Sequence, residues 1–343
     1  MNGGPASSPA VVVTGAAGFI GSHLVDGLLQ RGHRVIGIDR RSPRTDRLAR
    51  LNLEGALAHP RFSWVEADLL HANLDVLLGG VACVFHLAAV PGVRASWGSG
   101  FPDYVAANIS ATERLVAACE RAGVPRLVYA SSSSVYGPTR AASREVDPTM
   151  PISPYGVTKL AGEQLCLAHA TRPDSALSVV ALRYFTVYGP RQRPDMAIGR
   201  ILSAALTGDR YPLFGDGTQR REFTYVGDVV DASIAAAHLN ASAVVVNVGG
   251  GVSVSMLDVL RLAEEVTGNP VRLTVLALQA GDVPGTAADL STARMLLGYQ
   301  PGTDLRTGMT RHAEWLRRLP PDLLRAFTPP PAPVGNGVAA CSS

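Results

Sequence analysis

The chain of 343 residues is 47% hydrophobic and 17% charged, with a formal net charge of +3, enough apolar material for a well-buried core in roughly two domains, or one large domain with an added lobe. Its arginines are scattered through loops with no block of like charge, which argues against a nucleic-acid surface and suits a small anionic ligand. The four cysteines, Cys83, Cys119, Cys166 and Cys341, lack metal-ligand spacing, so no metal site is expected, and no apolar run reaches the ~20 residues that span a bilayer.

Residues 1–10, "MNGGPASSPA", carry neither a basic region nor an apolar run. They read as a flexible N-terminus, and the default location is the cytoplasm. From there "AVVVTG", "FIGSHLVDGLLQRG" and "RVIGID" alternate as strand, helix and strand, the pattern of a parallel sheet. "FSWVEAD", "VACVFHLAA", "ISATERLVAACERAG", "RLVYASSSS" and "SVVALRYF" extend it to Gly189. Beyond Gly189, short elements among Pro- and Gly-rich loops, "VVVNVGGG" included, read as a smaller lobe over residues 190–327 that shares elements with the sheet domain and caps its cleft. Residues 328–343, "TPPPAPVGNGVAACSS", are too poor in core residues to pack and read as a disordered tail.

"VVVTGAAGFIGSHL" sets Gly15, Gly18 and Gly21 between a strand and a helix. Glycines there let backbone amides approach a pyrophosphate at the helix N-terminus, with Phe19 and Ile20 opening the helix. Asp39 ends the next strand about 20 residues on, where a carboxylate accepts both ribose hydroxyls and repels a 2′-phosphate, favouring NAD over NADP. Arg40 and Arg41 follow and soften that preference. Asp68, beside Leu69, is placed to meet the adenine amino group, with a strand-end capping Asp as the plainer reading. Leu87, Ala88 and Ala89 supply small and apolar residues at a strand's carboxyl end, where ligands of open α/β sheets sit.

Tyr155 and Lys159 stand four residues apart, on one face if the segment is helical. Ser153 and Pro154 supply an N-cap and a first-turn residue. An ammonium close to the phenol lowers its pKa from about 10 toward neutrality, so that Tyr155 can take a proton from a hydroxyl.

"TGAAGFIGSHL", "SSSSVYG", "SPYGVTKLAGE", "RYFTVYGP" and "GDGTQRREFTYVGDVV" together resemble the extended short-chain dehydrogenase/reductase superfamily of NAD-dependent nucleotide-sugar epimerases and dehydratases, over about Val11 to Arg318. The resemblance implies a Rossmann-type doubly wound parallel sheet: an α/β NAD-binding domain over residues 11–189 and a smaller C-terminal substrate-binding lobe. It implies NAD as cofactor, a UDP-sugar substrate and a homodimer built on the helices starting near Asn108 and Tyr155. It also implies roles for single residues. Ser132 or Ser133 holds the sugar 4-hydroxyl beside Tyr155, with Ser131 near the cofactor; Lys159 also binds the nicotinamide ribose; Asn108 supports the lysine; Tyr184 lies near the cofactor; Thr186, at a position often held by Asn, touches the substrate. Arg221 and Arg94 grip the diphosphate, while Gln279 stands where members commonly carry an arginine; Asp282 either supports that grip or caps its own loop.

In dehydratases and decarboxylases of this superfamily the strand-end segment resembles "STDEVYG" or "STSEVYG". Here Ser133 and Ser134 occupy the acidic positions. That leaves reversible oxidation at C4, a 4-epimerisation with Tyr155 as base and then acid. "YGPRQRPDMAIGRI" resembles uronate 4-epimerases, which makes Arg193 the candidate ligand of a sugar carboxylate and Arg191 the runner-up; the plainer alternative is that Arg193 ties its own loop down through Asp195. The expected reaction is UDP-glucuronate to UDP-galacturonate. A UDP-glucuronate decarboxylase, a 4-epimerase of UDP-glucose or UDP-N-acetylglucosamine, and a non-catalytic nucleotide-binding protein are the alternatives.

Overall fold

Seven strands, each rich in β-branched or aromatic residues, line up in parallel: β1 (Val11–Thr14), β2 (Val35–Asp39), β3 (Phe62–Glu66), β4 (Cys83–His86), β5 (Arg126–Ser132), β6 (Ser178–Tyr184) and, much later in the chain, a seventh. The computed structural model describes residues 9–139, 141–277 and 285–328. Gln279, Asp282 and most of the two expected terminal segments lie outside those residues.

Helices connect the strands: α1 (Phe19–Gln30), α2 (Arg47–Leu57), α3 (Leu74–Leu78), α4 (Phe101–Tyr104), α5 (Ala111–Arg121) and α6 (Pro154–Ala170). A π-helical turn, Val105–Ser110, joins α4 to α5. β7 (Val187–Tyr188), α7 (Ala197–Thr207), β8 (Arg210–Phe214), β9 (Arg220–Glu222), β10 (Thr224–Tyr225) and α8 (Val226–Ala237) follow. The chain then runs through β11 (Ala243–Val248), β12 (Ser253–Ser255), α9 (Met256–Thr267), β13 (Arg272–Leu276), α10 (Ser291–Leu297), α11 (Leu305–Arg317) and α12 (Pro321–Arg325).

The sheet order is β11-β6-β5-β4-β1-β2-β3. β1 pairs with β2 on one side and β4 on the other, so strand order reverses between them and a cleft opens beyond their carboxyl ends. Gly15 and Gly18 follow β1 and Leu87, Ala88 and Ala89 follow β4, on the two sides of that switch point. One sheet face packs on α1 and α8 through Leu24, Leu28, Val229 and Val246; the other packs on α5 and α6 through Leu115, Cys119 and Cys166.

"VVVNVGGG" supplies an element shared with the sheet domain: β11 is the seventh strand, registered Val246 to Leu182 and Asn247 to Arg183. A run this apolar is suited to a strand covered on both faces, and α8 carries the chain back to deliver it. A third core, including Ile201, Leu202, Val259, Met309 and Phe327, sits under α7, α9 and α11. Beside it lie the parallel β8/β13 pair and the antiparallel β9/β12 pair.

Candidate active site

The turn after β1 is tightly folded under the N-terminus of α1. Gly15 has φ +69°, and a Cβ there would lie 2.7 Å from the Ala88 amide; one at Gly21 would lie 2.1 Å from the Gly15 carbonyl oxygen. Gly18 is the N-cap residue and gives no side-chain cap. Phe19 is buried and Ile20 packs against the same core. Asp39, at the end of β2, accepts hydrogen bonds from the Ala17 amide at 3.0 Å and the Arg41 amide at 2.9 Å. Burial pushes its carboxyl up, against the pull of those amides and of the two arginines. Arg40 is exposed and faces Asp68 at 3.8 Å, while Asp68 also caps the Leu70 amide at 2.9 Å and Leu69 is buried.

On the far side of the cleft, Leu87, Ala88 and Ala89 follow β4 half-buried. Asn108, in the π-helical turn, clamps the next residue: its Oδ1 accepts from the Val90 amide at 2.7 Å and its Nδ2 donates to the Val90 carbonyl at 3.0 Å. Nδ2 also donates to Thr158 Oγ1 at 3.0 Å, and Thr158 donates to the Tyr155 carbonyl at 2.9 Å. Asn108 therefore reaches α6 through Thr158, where the sequence pointed to the lysine.

Ser153 caps α6 by accepting from the Gly156 amide at 3.1 Å, and Pro154 opens its first turn. This local chemistry fixes Tyr155 and Lys159 on one helix face. Ser132, the last residue of β5, hydrogen-bonds the Tyr155 phenol and accepts from the Ser134 amide at 3.2 Å. Of the two serines expected to serve the substrate hydroxyl, Ser132 is the one that meets the tyrosine. Ser133 and Ser134 form the short turn that follows. Ser131, at the end of the same strand, donates its hydroxyl to Glu163 at 2.6 Å inside the core.

The Tyr155 phenol is also a correction. Burial raises its pKa above 10, the Ser132 hydrogen bond and the Arg193 charge oppose the rise, and the expected fall to neutrality is not seen. Lys159 shows why: its ammonium lies 4.3 Å from the centroid of the Tyr129 ring and burial lowers its own pKa to about 8.

Beyond β7 the chain turns through Arg191 at φ 63°, pinned to Asp26 of α1 at 2.7 Å; the runner-up arginine is thus committed to α1. Gln192 braces the loop by donating to the Val187 carbonyl at 3.0 Å and accepting from the Gly199 amide at 2.9 Å. Arg193 then forks onto Asp195 through two hydrogen bonds of 2.9 Å, yet its charge acts on both Tyr155 and Tyr104. Thr186 is half-buried at the end of β6. Arg94 packs its guanidinium 4.4 Å from the Phe214 ring centre, and Arg221 sits on β9, donating to the Arg220 carbonyl. The Tyr184 hydroxyl faces Ser233 of α8 at 2.8 Å, inside the core.

The profile of the NAD dependent epimerase/dehydratase family matches residues 11–249. The chain belongs to this family. It is 45% identical over 314 residues to the "Uncharacterized UDP-glucose epimerase YtcB" of Bacillus subtilis, covering 90% of this chain and 98% of the relative. Among solved structures it is similar to MoeE5 in complex with UDP-glucuronic acid and NAD (46% identity, TM-score 0.83, 90% of this chain and 99% of that one). It is also similar to UDP-glucuronic acid 4-epimerase from Bacillus cereus in complex with UDP-glucuronic acid and NAD (40%, TM-score 0.86, 91% and 100%). The expected enzyme class, an NAD-dependent nucleotide-sugar 4-epimerase, and NAD itself are borne out.

The residues present fit the family's cofactor. A turn with no room for side chains below an uncapped helix N-terminus suits a pyrophosphate, and the Asp39 carboxylate suits unphosphorylated ribose hydroxyls. No helix among the described residues is long and apolar enough to cross a membrane.

Sequence reasoning missed two participants. Tyr104 stacks edge-on against Tyr155 with ring centres 6.2 Å apart and donates to the Gly92 carbonyl at 2.8 Å. Glu163, four residues beyond Lys159 in "YGVTKLAGE", is fully buried against Arg183, with Nη2 to Oε1 at 2.6 Å. A buried Glu on the catalytic face of α6 was visible as an i, i+4 continuation of Tyr155 and Lys159; the Tyr104 contact had no local signal.

Proposed function

We propose that this enzyme interconverts UDP-glucuronate and UDP-galacturonate by 4-epimerisation. The observation that carries the reading is Arg193: a guanidinium already gripping a carboxylate bidentately, near enough to the catalytic phenol for its charge to be felt there. A uronate carboxylate offers it the same two oxygens that Asp195 does.

Ser132 orients the sugar 4-hydroxyl and Tyr155 accepts its proton, then returns it. Of the nearby cations, Arg193 is the one whose charge draws the Tyr155 pKa down and so favours the phenolate, and Lys159 would hold the nicotinamide ribose. NAD, when bound, supplies the reversible hydride acceptor. Ser133 and Ser134 offer hydroxyls where elimination or decarboxylation needs an acid. A 4-keto uronate is a β-keto acid and loses carbon dioxide when its C5–carboxylate bond aligns with the carbonyl π system; Arg193 holding the carboxylate off that alignment suppresses the loss. Arg94 and Arg221 serve the diphosphate, with Asp282 in support. The helices starting near Asn108 and Tyr155 provide the interface of a cytoplasmic homodimer, and Val157 on α6 is exposed.

A second reading is a 4-epimerase of UDP-glucose, favoured by the name of the 45%-identical relative and by Asp195 already filling Arg193. Incubation with UDP-glucuronate, followed by proton NMR of the sugar, separates them. UDP-galacturonate as main product supports the proposal; pentose with carbon dioxide, or turnover of UDP-glucose alone, overturns it.

A further inference from the structure

His86, the last residue of β4, has no place in the chemistry above, yet it is fully buried and both ring nitrogens are bonded: Nδ1 to Thr14 Oγ1 at 2.8 Å and Nε2 to Thr112 Oγ1 at 3.0 Å. The direction of every proton follows. Thr112 donates to the Asn108 carbonyl at 2.8 Å, and a hydroxyl has one proton, so Thr112 accepts from His86 and Nε2 carries the hydrogen. Nδ1 is then the acceptor and Thr14 the donor. Thr14 in turn accepts from the Ala88 amide at 3.2 Å. One directed chain results: Ala88 N–H to Thr14, Thr14 to His86, His86 to Thr112, Thr112 to Asn108.

Both ends of this chain matter. Ala88 is the residue whose amide abuts Gly15 in the cofactor turn. Asn108 holds Val90 and, through Thr158, the carbonyl of Tyr155 itself. We propose that His86, as the neutral Nε2–H tautomer, is a positioning residue that couples the cofactor turn to the helix carrying Tyr155 and Lys159. The ring is suited to this because it accepts on one side and donates on the other, and only one tautomer satisfies all the hydroxyls at once. Buried polar chains that are fully satisfied hold a single geometry, and removing one member leaves its neighbours unpaired.

The test uses full-length enzyme with whichever UDP-sugar it turns over, so it stands apart from the sugar's identity. Thr112→Val breaks the chain with little change of volume and leaves His86 Nε2–H unpaired. The expected result is turnover about tenfold lower and NAD held about tenfold more weakly, read by retention of its absorbance through gel filtration, with KM for the nucleotide sugar unchanged. Thr112→Ser, which restores the hydroxyl, returns both to near wild type. Wild-type turnover and retention in Thr112→Val, or a serine variant no better than the valine one, overturns the proposal. Should Thr112→Val not fold, Thr14→Val and Thr14→Ser break and restore the other end with the same expected outcomes. Independently, nitrogen-15 NMR of labelled histidine at pH 7 should show His86 neutral and protonated at Nε2; a proton on Nδ1 overturns it without any activity measurement.

Discussion

Arg193 and Asp195 form a two-pronged ion pair whose arginine charge reaches Tyr155, with both hydrogen bonds at 2.9 Å and the side chains 33% and 62% exposed. On the uronate reading proposed above, Asp195 occupies the guanidinium until a substrate carboxylate takes its place. Exposed pairs of this kind are worth up to about 1 kcal/mol, or about fivefold in affinity. Asp195→Asn is expected to lower KM for UDP-glucuronate by up to about fivefold and leave UDP-glucose unaffected, measured by initial rates on both. An equal effect on both sugars would mean that Arg193 does not read the carboxylate.

Tyr155 is held by Ser132 and by the capped start of α6, so its loss is chemical and not structural. Tyr155→Phe is expected to lower turnover by about 10³-fold with the melting temperature nearly unchanged. Ser132→Ala, which leaves the phenol without its partner, is expected to cost about tenfold. Product formation by NMR checks both, and a phenylalanine variant with substantial turnover contradicts the assignment of the base.

Two buried histidines, His86 and His312, and the half-buried His23 make the fold acid-sensitive. Burial lowers His23 to about 4, and His86 and His312 to about 3. These groups stay neutral in the folded chain while the unfolded chain protonates them near 6.5, so the stability they contribute is complete above that pH and is lost as pH falls toward 4. His312 is the informative one, because neither of its ring nitrogens has a partner. His312→Phe is expected to flatten the fall of stability between pH 6.5 and 4 by one proton, and to leave stability at pH 8 unchanged or higher. Urea unfolding across that pH range measures it; an unchanged slope refutes it.

Glu163 and Arg183 are a fully buried pair that also holds Ser131, and Arg183 lies 4.7 Å from the Tyr136 ring centre. Removing one partner strands the other charge, at a cost of about 3 kcal/mol or more. Glu163→Gln should show this in urea unfolding; a loss below about 1 kcal/mol would mean that water reaches the guanidinium.

Much of the site was legible because its chemistry is local. The glycine spacing, Asp39 at its strand end, and the Ser153-Pro154 cap before Tyr155 each depend on a few neighbouring residues, and backbone geometry has little latitude there. The misses are long-range. Nothing near Ser131 announces Glu163, 32 residues away along the chain, and the choice between Arg193 as a carboxylate ligand and Arg193 as a tie to Asp195 could be named but not decided. The Tyr155 pKa was misjudged because four-residue spacing shows that two side chains share a face, but not that an aromatic ring lies under the ammonium. Which element the lobe shares with the sheet could not be read from β11 itself, because an apolar run reads alike in a lobe and in a sheet.

The late position of β11 also shapes how the chain is made. β6 ends at Tyr184 and its neighbour begins at Ala243, so on the ribosome β6 remains an open, apolar edge while about 60 residues are added, roughly 3–12 s at ordinary elongation rates. The nascent chain must pass through that interval with a pairing edge uncovered. A truncation within it would yield a polypeptide with complete glycine-turn chemistry and a strand ready to join its neighbours into aggregates.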